Sequence, residues 1–554
     1  MLRDRSRIIR PLLSYAVLFL ALTGIAHAQT PPNDLKARLD AGDRQIQELK
    51  AILLQQGIQP AAVNSAAPPT LDDTAVKKIV AGYMVEKEQQ QQQAAAAAVE
   101  QQVENDGFKV GSDLRLDAHW DLKSGFTVET PHKDFSLHVG AEFMEDSVWF
   151  TQSPALKPAA QVGDLQDGTF FRRIRIFMDG SAWQVFEWTL IFAVEQVKEG
   201  IPNLSEFWVG EKDIPWVGRA RVGQLRLPQG LEGDTSASSR AMTFMEASPM
   251  TDAFYQRFGT GVWALNTMLD ERATWSAMAY RQTQALHDNN GADFGDGKYA
   301  VAGRLTCLPL YEHDGRCLLH LGVSGNWRKA ENADPGLIGP GVVQFRARPE
   351  LRDATGDYGG ATNGSAVNLP GDTRRMVDTG VLSASSSAVL GTEVFFMDGP
   401  FSAMAEWAYV VASDVAVGTG AAATRQDRSF NGGYVQVGYF LTGENRTYNT
   451  EYGRMSRTYL TGPNSNFWLT RDEDGHMMVG RGAVELAARW SYLNLNDGPV
   501  QGGVLTGTVV GLNWFLNPNT RIEFNYTDDN RYSLKPGQSS GVVQGLGTRL
   551  YLQF

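Results

Sequence analysis

The chain has 554 residues with 57 Gly, 10% aromatic residues and a formal charge of −12, which excludes a general nucleic-acid binder because phosphate neutralisation needs a basic surface. Two Cys and eight His exclude a disulfide scaffold and any multi-cysteine zinc or iron–sulfur site, so neither metal nor cofactor is expected. With 43% hydrophobic residues and one long apolar run, at the N-terminus, the chain is either a soluble exported protein or a membrane protein that hides its hydrophobicity in alternation.

Residues 1–28 read as a secretory signal peptide. Arg3, Arg5, Arg7 and Arg10 form the cationic head, Pro11 to Ile25 the apolar stretch, and Ala26-His27-Ala28 the cleavage site. The alternative, a short membrane anchor, has fewer apolar residues than the ~20 a spanning helix needs. Residues 29–105 read as a periplasmic helical stalk and spacer. Leu35, Leu39, Ile46, Leu49 and Leu53, with Gly42 off pattern, follow a coiled-coil seam, although one amphipathic helix has the same spacing. A Pro/Ala/Ser/Asn linker covers Gly57 to Pro69, a second helical piece starts near Leu71, and the Gln89–Gln93 and Ala94–Ala98 runs form a spacer without an apolar stripe.

From about residue 108 the period becomes two. Phe186, Trp188, Leu190, Phe192 and Val194 oppose Glu187, Thr189 and Glu195, while Val484, Leu486, Ala488 and Trp490 oppose Glu485, Arg489 and Ser491. Runs of this kind, joined by turn chemistry such as Asp314-Gly315, Asp398-Gly399-Pro400 and Asn517-Pro518-Asn519, predict an all-β fold over residues 106–554. The expectation is a transmembrane antiparallel β-barrel of about 16 strands, since a closed sheet alone satisfies every strand backbone group in lipid. Export plus a barrel implies the outer membrane of a Gram-negative-type cell, with lipid on the outer wall. In the last run Leu546, Thr548, Leu550, Leu552 and Phe554 share the outer face, leaving Gly547, Arg549 and Gln553 inside. A large soluble propeller is the rival, but no blade-length repeat supports it.

Several strings resemble the phosphate-selective porin O and P family: Phe170-Phe171-Arg172-Arg173-Ile174-Arg175, Val222-Gly223-Gln224-Leu225, Thr243-Phe244-Met245-Glu246, Gly438-Tyr439-Phe440-Leu441-Thr442-Gly443-Glu444, and the run from Glu485 to Asn496. The resemblance covers roughly residues 110–554 and implies a homotrimer of sixteen-stranded barrels. Each would have its own pore, narrowed by inward-folded loops and lined by cations that pass phosphate.

A hydrated oxyanion needs fixed positive charge along a narrow path, with several sites of moderate strength. Arginine offers bidentate hydrogen bonds and a permanent charge. If Val342 to Arg348 is extended, Arg346 and Arg348 project to one side about 7 Å apart. That spacing resembles the family's arginine ladder, which assigns the ladder role to Arg346, Arg348 and Arg352, with Arg374 or Arg375 as a further rung. Gln344 stands where one more Arg is expected. The alternative places these arginines on a surface loop, paired with Glu350 and Asp353. The long segment from Gly230 to Met250 is the best constriction loop. Arg240 within it aligns with the family's eyelet lysine, and Glu232, Asp234 and Glu246 make a mixed-charge eyelet conceivable. Arg173 and Arg175 alternate with Ile174 and Ile176 and are expected inside, either on the anion path or merely balancing acidic walls.

Cys307 and Cys317 flank the Tyr311–Gly315 turn and are expected nearly opposite each other in a hairpin centred there, as either a disulfide or two thiols. No nucleophile–base order, carboxylate pair or phosphate-cradling loop stands out, so no enzyme is expected. The sequence thus reads as an outer-membrane porin for passive diffusion of small anions, phosphate or polyphosphate foremost. Its rivals are a general or sugar-selective porin, and a barrel-anchored tether that contacts peptidoglycan or another periplasmic partner through the stalk.

Overall fold

The computed structural model describes residues 109–121, 125–198, 201–235, 241–281, 299–332, 341–353, 374–417, 424–456, 468–471 and 474–554. The expected signal peptide, the expected stalk and Arg240 lie outside the described residues.

Sixteen antiparallel strands close into a barrel. They are β1 (Phe135–Gln152), β2 (Gly168–Ala182), β3 (Phe186–Lys198), β4 (Ile201–Ile214), β5 (Gly218–Arg226), β6 (Phe258–Met268), β7 (Ala273–Arg281) and β8 (Tyr299–Glu312). The second half comprises β9 (Cys317–Lys329), β10 (Ser386–Asp398), β11 (Phe401–Val417), β12 (Thr424–Phe440), β13 (Ala483–Asp497), β14 (Val500–Asn517), β15 (Thr520–Tyr532) and β16 (Gly541–Gln553). Each pairs with its sequence neighbour, and β16 closes the sheet on β1 with Val543 opposite Gln152 and Gln553 opposite Glu142. The last residue completes the seam, because Ala141 N–H donates to the Phe554 carbonyl at 3.0 Å and Phe554 N–H donates back at 3.1 Å. A preceding hairpin, Asp117–Asp121 with Gly125–Glu129, pairs with the start of β1.

The walls are inside out relative to a soluble protein. On β13 the outward Leu486 and Trp490 are 42% and 52% exposed, whereas Glu485, Arg489 and Ser491 are buried. The same inversion holds on β16, where Leu546, Leu550 and Leu552 are exposed and Arg549 is buried. Apolar side chains on the outer face and hydrogen-bonded polar ones within are what a sheet surrounded by hydrocarbon requires.

The interior is filled by inserted segments rather than water alone. In an antiparallel barrel the connections after odd-numbered strands share one end, and those after even-numbered strands share the end that holds Phe554. The described parts of segments 227–257 and 330–385 enter from the first end and those of 441–482 from the second. Segment 227–257 begins with α1 (Leu231–Thr235), whose Leu231 and Glu232 N–H groups donate to Glu406 of β11 at 2.9 and 2.5 Å. It ends with α2 (Pro249–Phe254), capped by Ser248, whose Oγ accepts from Thr251 N–H. Phe254 packs edge-on against Phe345 of segment 330–385, which meets Phe430 of β12. Two chain segments are thereby bonded into one inner layer.

The expected relation between the two cysteines needs correcting. The β8–β9 register sets Cys307 opposite Leu321 and Cys317 opposite Glu312, and both thiols are free. A bridge needs Cα atoms within about 7 Å, whereas partners offset by five strand residues are roughly 17 Å apart.

Candidate functional site

Where segments 227–257 and 330–385 meet, arginines outnumber carboxylates. Burial alternates through Phe345 and Ala347, which are fully buried, so Arg346 and Arg348 share the opposite side as the sequence suggested. Arg348 does not pair with Glu350. Its backbone N–H and its Nη1 reach the Asp252 carboxylate at 3.1 and 3.4 Å, and Arg375 Nη1 reaches the same group at 3.1 Å. Arg374 pairs with Asp353 at 3.0 Å. Gln344 donates to Asp378 at 2.8 Å, and Asp378 is the residue opposite Arg346 in a short ladder.

A second carboxylate, Glu246, gathers three arginines from distant parts of the chain. Arg172 binds it through two nitrogens at 2.5 and 3.0 Å, Arg352 Nε at 3.1 Å and Arg549 Nη2 at 3.4 Å. Arg549 is chiefly committed to Asp146, at 2.6 and 2.7 Å. Arg257, just beyond α2, shares the crevice with Glu246, Asp252, Arg348 and Arg352. Among the described residues, five guanidinium groups, those of Arg172, Arg257, Arg348, Arg352 and Arg375, thus act on two carboxylates, Asp252 and Glu246.

The guanidiniums govern the ionisation of these two carboxylates. Burial alone would raise the Asp252 carboxyl, but Arg348, Arg375, Arg352 and Arg257 hold it down at about 2. Burial works against the charge on Glu246 as well, and Arg172 and Arg352 keep its carboxyl well below the ordinary range. Burial, followed by repulsion from Arg352, brings the Arg257 guanidinium down to about 10. Both carboxylates are therefore ionised at any working pH.

The inner layer is held by different arginines. Arg489 of β13 donates to Glu350 at 2.7 Å, to Glu232 at 3.0 Å and to the Glu246 carbonyl at 3.0 Å, and its guanidinium lies 4.7 Å from the Phe244 ring centroid. One side chain thus ties both inserted segments to the wall. Glu232 also accepts from Ser248 and Thr251, so it organises the start of α2 and is not part of the arginine junction.

Of the residues singled out in the sequence, Arg348, Arg352 and Arg375 come together, with Arg346 and Arg374 in adjoining pairs. Arg173 lies within the wall 3.7 Å from Glu142, and Arg175 follows on the same face. Strand alternation alone missed Arg172. The register shift between Met144 and Glu145 turns it inward beside Arg173, although strict alternation sends it to lipid. Glu246 was expected in a mixed-charge eyelet, whereas Arg257 and Asp252 were legible only as charges scattered through an otherwise apolar run. Among the described residues no group of three His, Cys, Asp or Glu is placed to hold a metal ion.

The family model described as "Phosphate-selective porin O and P" matches residues 156–554. An uncharacterised protein of Caulobacter vibrioides is 29% identical over 400 residues, covering 70% of this chain and 68% of its own. Porin O of Pseudomonas aeruginosa is 24% identical over 458 residues, covering 78% and 91% respectively. Among solved structures, the outer-membrane channel DcaP of Acinetobacter baumannii aligns with 77% of this chain and 99% of its own, at 10% identity and a TM-score of 0.42. An anion-selective porin from Comamonas acidovorans aligns with 76% and 100%, at 10% identity and a TM-score of 0.41.

Proposed function

The chain belongs to the phosphate-selective porin O and P family, and from that premise we propose that this outer-membrane porin passes small anions, phosphate or polyphosphate foremost, by passive diffusion along an arginine-lined path. Family and fold are those of a channel rather than an enzyme. The observation that carries the reading is the gathering of five guanidiniums on Asp252 and Glu246 where segments 227–257 and 330–385 meet. Arg346, Arg374 and Arg375 supply the approach, Arg348, Arg352 and Arg257 the narrowest passage, and Arg172, Arg173 and Arg175 the continuation.

The electrostatics support conduction rather than capture. A site with fixed positive charge and no competing carboxylate would trap an oxyanion, whereas Asp252 and Glu246 share the guanidinium hydrogen bonds and lower the affinity at each step. An entering anion exchanges with a carboxylate for one arginine fork and moves to the next, without a covalent step or cofactor. Arginine is suited to this exchange because its planar fork matches phosphate and carboxylate oxygens equally well. We assign the end that holds Phe554 to the periplasm, together with the 29–105 stalk, and a homotrimer as the assembly. These assignments follow from family membership and from the coiled-coil spacing.

The test is the reversal potential of the purified porin in a planar bilayer under a KCl gradient, repeated with millimolar phosphate. A strongly anion-selective potential with chloride current blocked by phosphate is the expected result. A weakly selective or cation-selective channel indifferent to phosphate overturns the reading in favour of a general porin.

A further inference from the structure

Beyond the arginine junction lies a larger space. A cavity of about 400 Å³ opens between β2–β7 and Tyr452 and Arg454 of segment 441–482, which enters from the end that holds Phe554. At roughly 30 Å³ per water it has room for about a dozen waters, and it falls in the size range of small-molecule sites. Its walls combine four aromatic side chains, Trp188, Trp208, Trp263 and Tyr452, with three arginines, Arg221, Arg226 and Arg454.

The cavity is built rather than incidental. Tyr452 is held by Arg221, whose Nη2 donates to the phenol oxygen at 2.6 Å and whose guanidinium lies 3.9 Å from the Trp208 ring and 4.9 Å from the Trp263 ring. Gly453 next to it has φ +60°, and a Cβ there would lie 2.5 Å from Thr306 Oγ1, so the segment fits the wall only with glycine at this point. The Gly453 carbonyl accepts from Arg304 at 2.8 Å. The wall is therefore preorganised before any solute arrives.

Its charge is divided by position. Arg226 feels repulsion from both Arg175 and Arg454, and Glu206 is bonded to it at 3.3 Å. Away from that group the lining carries Asp179, Glu187 and Thr189. Glu187 binds Arg219 at 2.7 Å and Arg221 at 2.9 Å, and Asp179 meets His138 at 2.8 Å. One end of the cavity thus favours an anion, while the rest offers acceptors beside aromatic rings. That combination suits a polyhydroxylated ring, whose hydroxyls donate to carboxylates and whose C–H faces pack on indole and phenol.

We propose that this cavity is a second solute station that holds a phosphorylated sugar, with the phosphate at Arg226 and Arg454 and the sugar ring against Trp208, Trp263 and Tyr452. The proposal rests on the reading of the barrel as an anion conduit and narrows its substrate class. Inorganic phosphate satisfies only the cationic end, and a neutral sugar only the other.

The test compares block of chloride current by glucose 6-phosphate, inorganic phosphate and glucose, each added to both sides of a bilayer that holds the purified porin. Wild type is expected to be half-blocked by glucose 6-phosphate at a concentration about fivefold below that of phosphate, the scale of one aromatic contact. Tyr452→Ala should abolish that difference while phosphate block is unchanged, and Tyr452→Phe, which keeps the ring, should largely retain it. Arg454→Gln should weaken block by glucose 6-phosphate more than block by phosphate. Equal half-block by the ester and by phosphate, or a Tyr452→Ala channel that retains the difference, overturns the proposal. Glucose blocking as well as its phosphate would overturn the anionic part. If the ester blocks and phosphate does not, the cavity stands and phosphate as the principal substrate falls.

Discussion

Two groups of arginine within the same barrel are treated differently by their surroundings. Along β13–β16, Arg489, Arg521 and Arg549 each have a carboxylate of their own, Glu350, Glu523 and Asp146, and all three guanidiniums are almost wholly buried. At the junction of the inserted segments, five arginines share Asp252 and Glu246. The first group is neutralised and acts as a set of rivets, because a buried charge persists only when paired. The second shares its carboxylates among several guanidiniums, so an anion's oxygens can exchange for one of those hydrogen bonds. Residue type is the same in both, and the local supply of carboxylate decides which arginines hold the structure and which act on solutes.

Breaking a rivet should give the largest effect. Arg489→Ala leaves Glu350 and Glu232 buried without their cation, which costs about 3–5 kcal/mol when one partner of a buried pair is removed. Because that side chain ties both inserted segments to β13, thermal unfolding followed by circular dichroism should shift down markedly, and single-channel records should show a larger, noisier conductance.

The same operation at the junction should spare the fold. Arg348→Gln with Arg352→Gln removes two of the five shared guanidiniums, and the reversal potential under a KCl gradient should move toward zero with little change in the melting curve. A melting shift as large as that of Arg489→Ala would show that the two groups do not differ in kind. A smaller, opposite effect is expected from Glu246→Gln. Removing a carboxylate shared by Arg172, Arg352 and Arg549 should make the channel more anion-selective and bind phosphate more tightly, slowing its release.

The pH profile sharpens the comparison. Asp252 has its carboxyl depressed to about 2, so its ion pairs are present above the unfolded carboxylate range and are lost only as pH falls through about 2. The Arg257 guanidinium, lowered to about 10, stays charged below that value and is neutral above it. Anion selectivity should therefore be flat between about pH 5 and 9 and decline as pH approaches 10, a profile read directly from reversal potentials. The smallest effect is expected from reductant. Cys307 and Cys317 are free thiols, so dithiothreitol should leave both the melting temperature and the electrophoretic mobility unchanged.

Much of the barrel was legible in the sequence because strand alternation is local. Trp490 points to lipid and Arg489 inward for reasons contained in a few neighbouring residues, and the same period, repeated down the chain, yields strands, outward face and closure. The turn at Asp398-Gly399-Pro400 was equally plain, since β10 and β11 meet on either side of it. The shared side of Arg346 and Arg348 also followed from spacing, as did the inward course of segment 227–257 from its length.

What the sequence by itself determined is thus the wall: where strands run, which side faces lipid and which residues turn inward. Tertiary structure alone decided the partners within. Arg348 meets Asp252 rather than the nearby Glu350, because Glu350 is taken by Arg489, a residue 139 positions away. Arg172 faces inward through a register shift that no alternation encodes, and Cys307 and Cys317 are parted by the register of their hairpin. The physical reason is one of range. Side-chain direction is set by the backbone within a residue or two, whereas the charge an arginine presents depends on which carboxylates the closed barrel brings beside it.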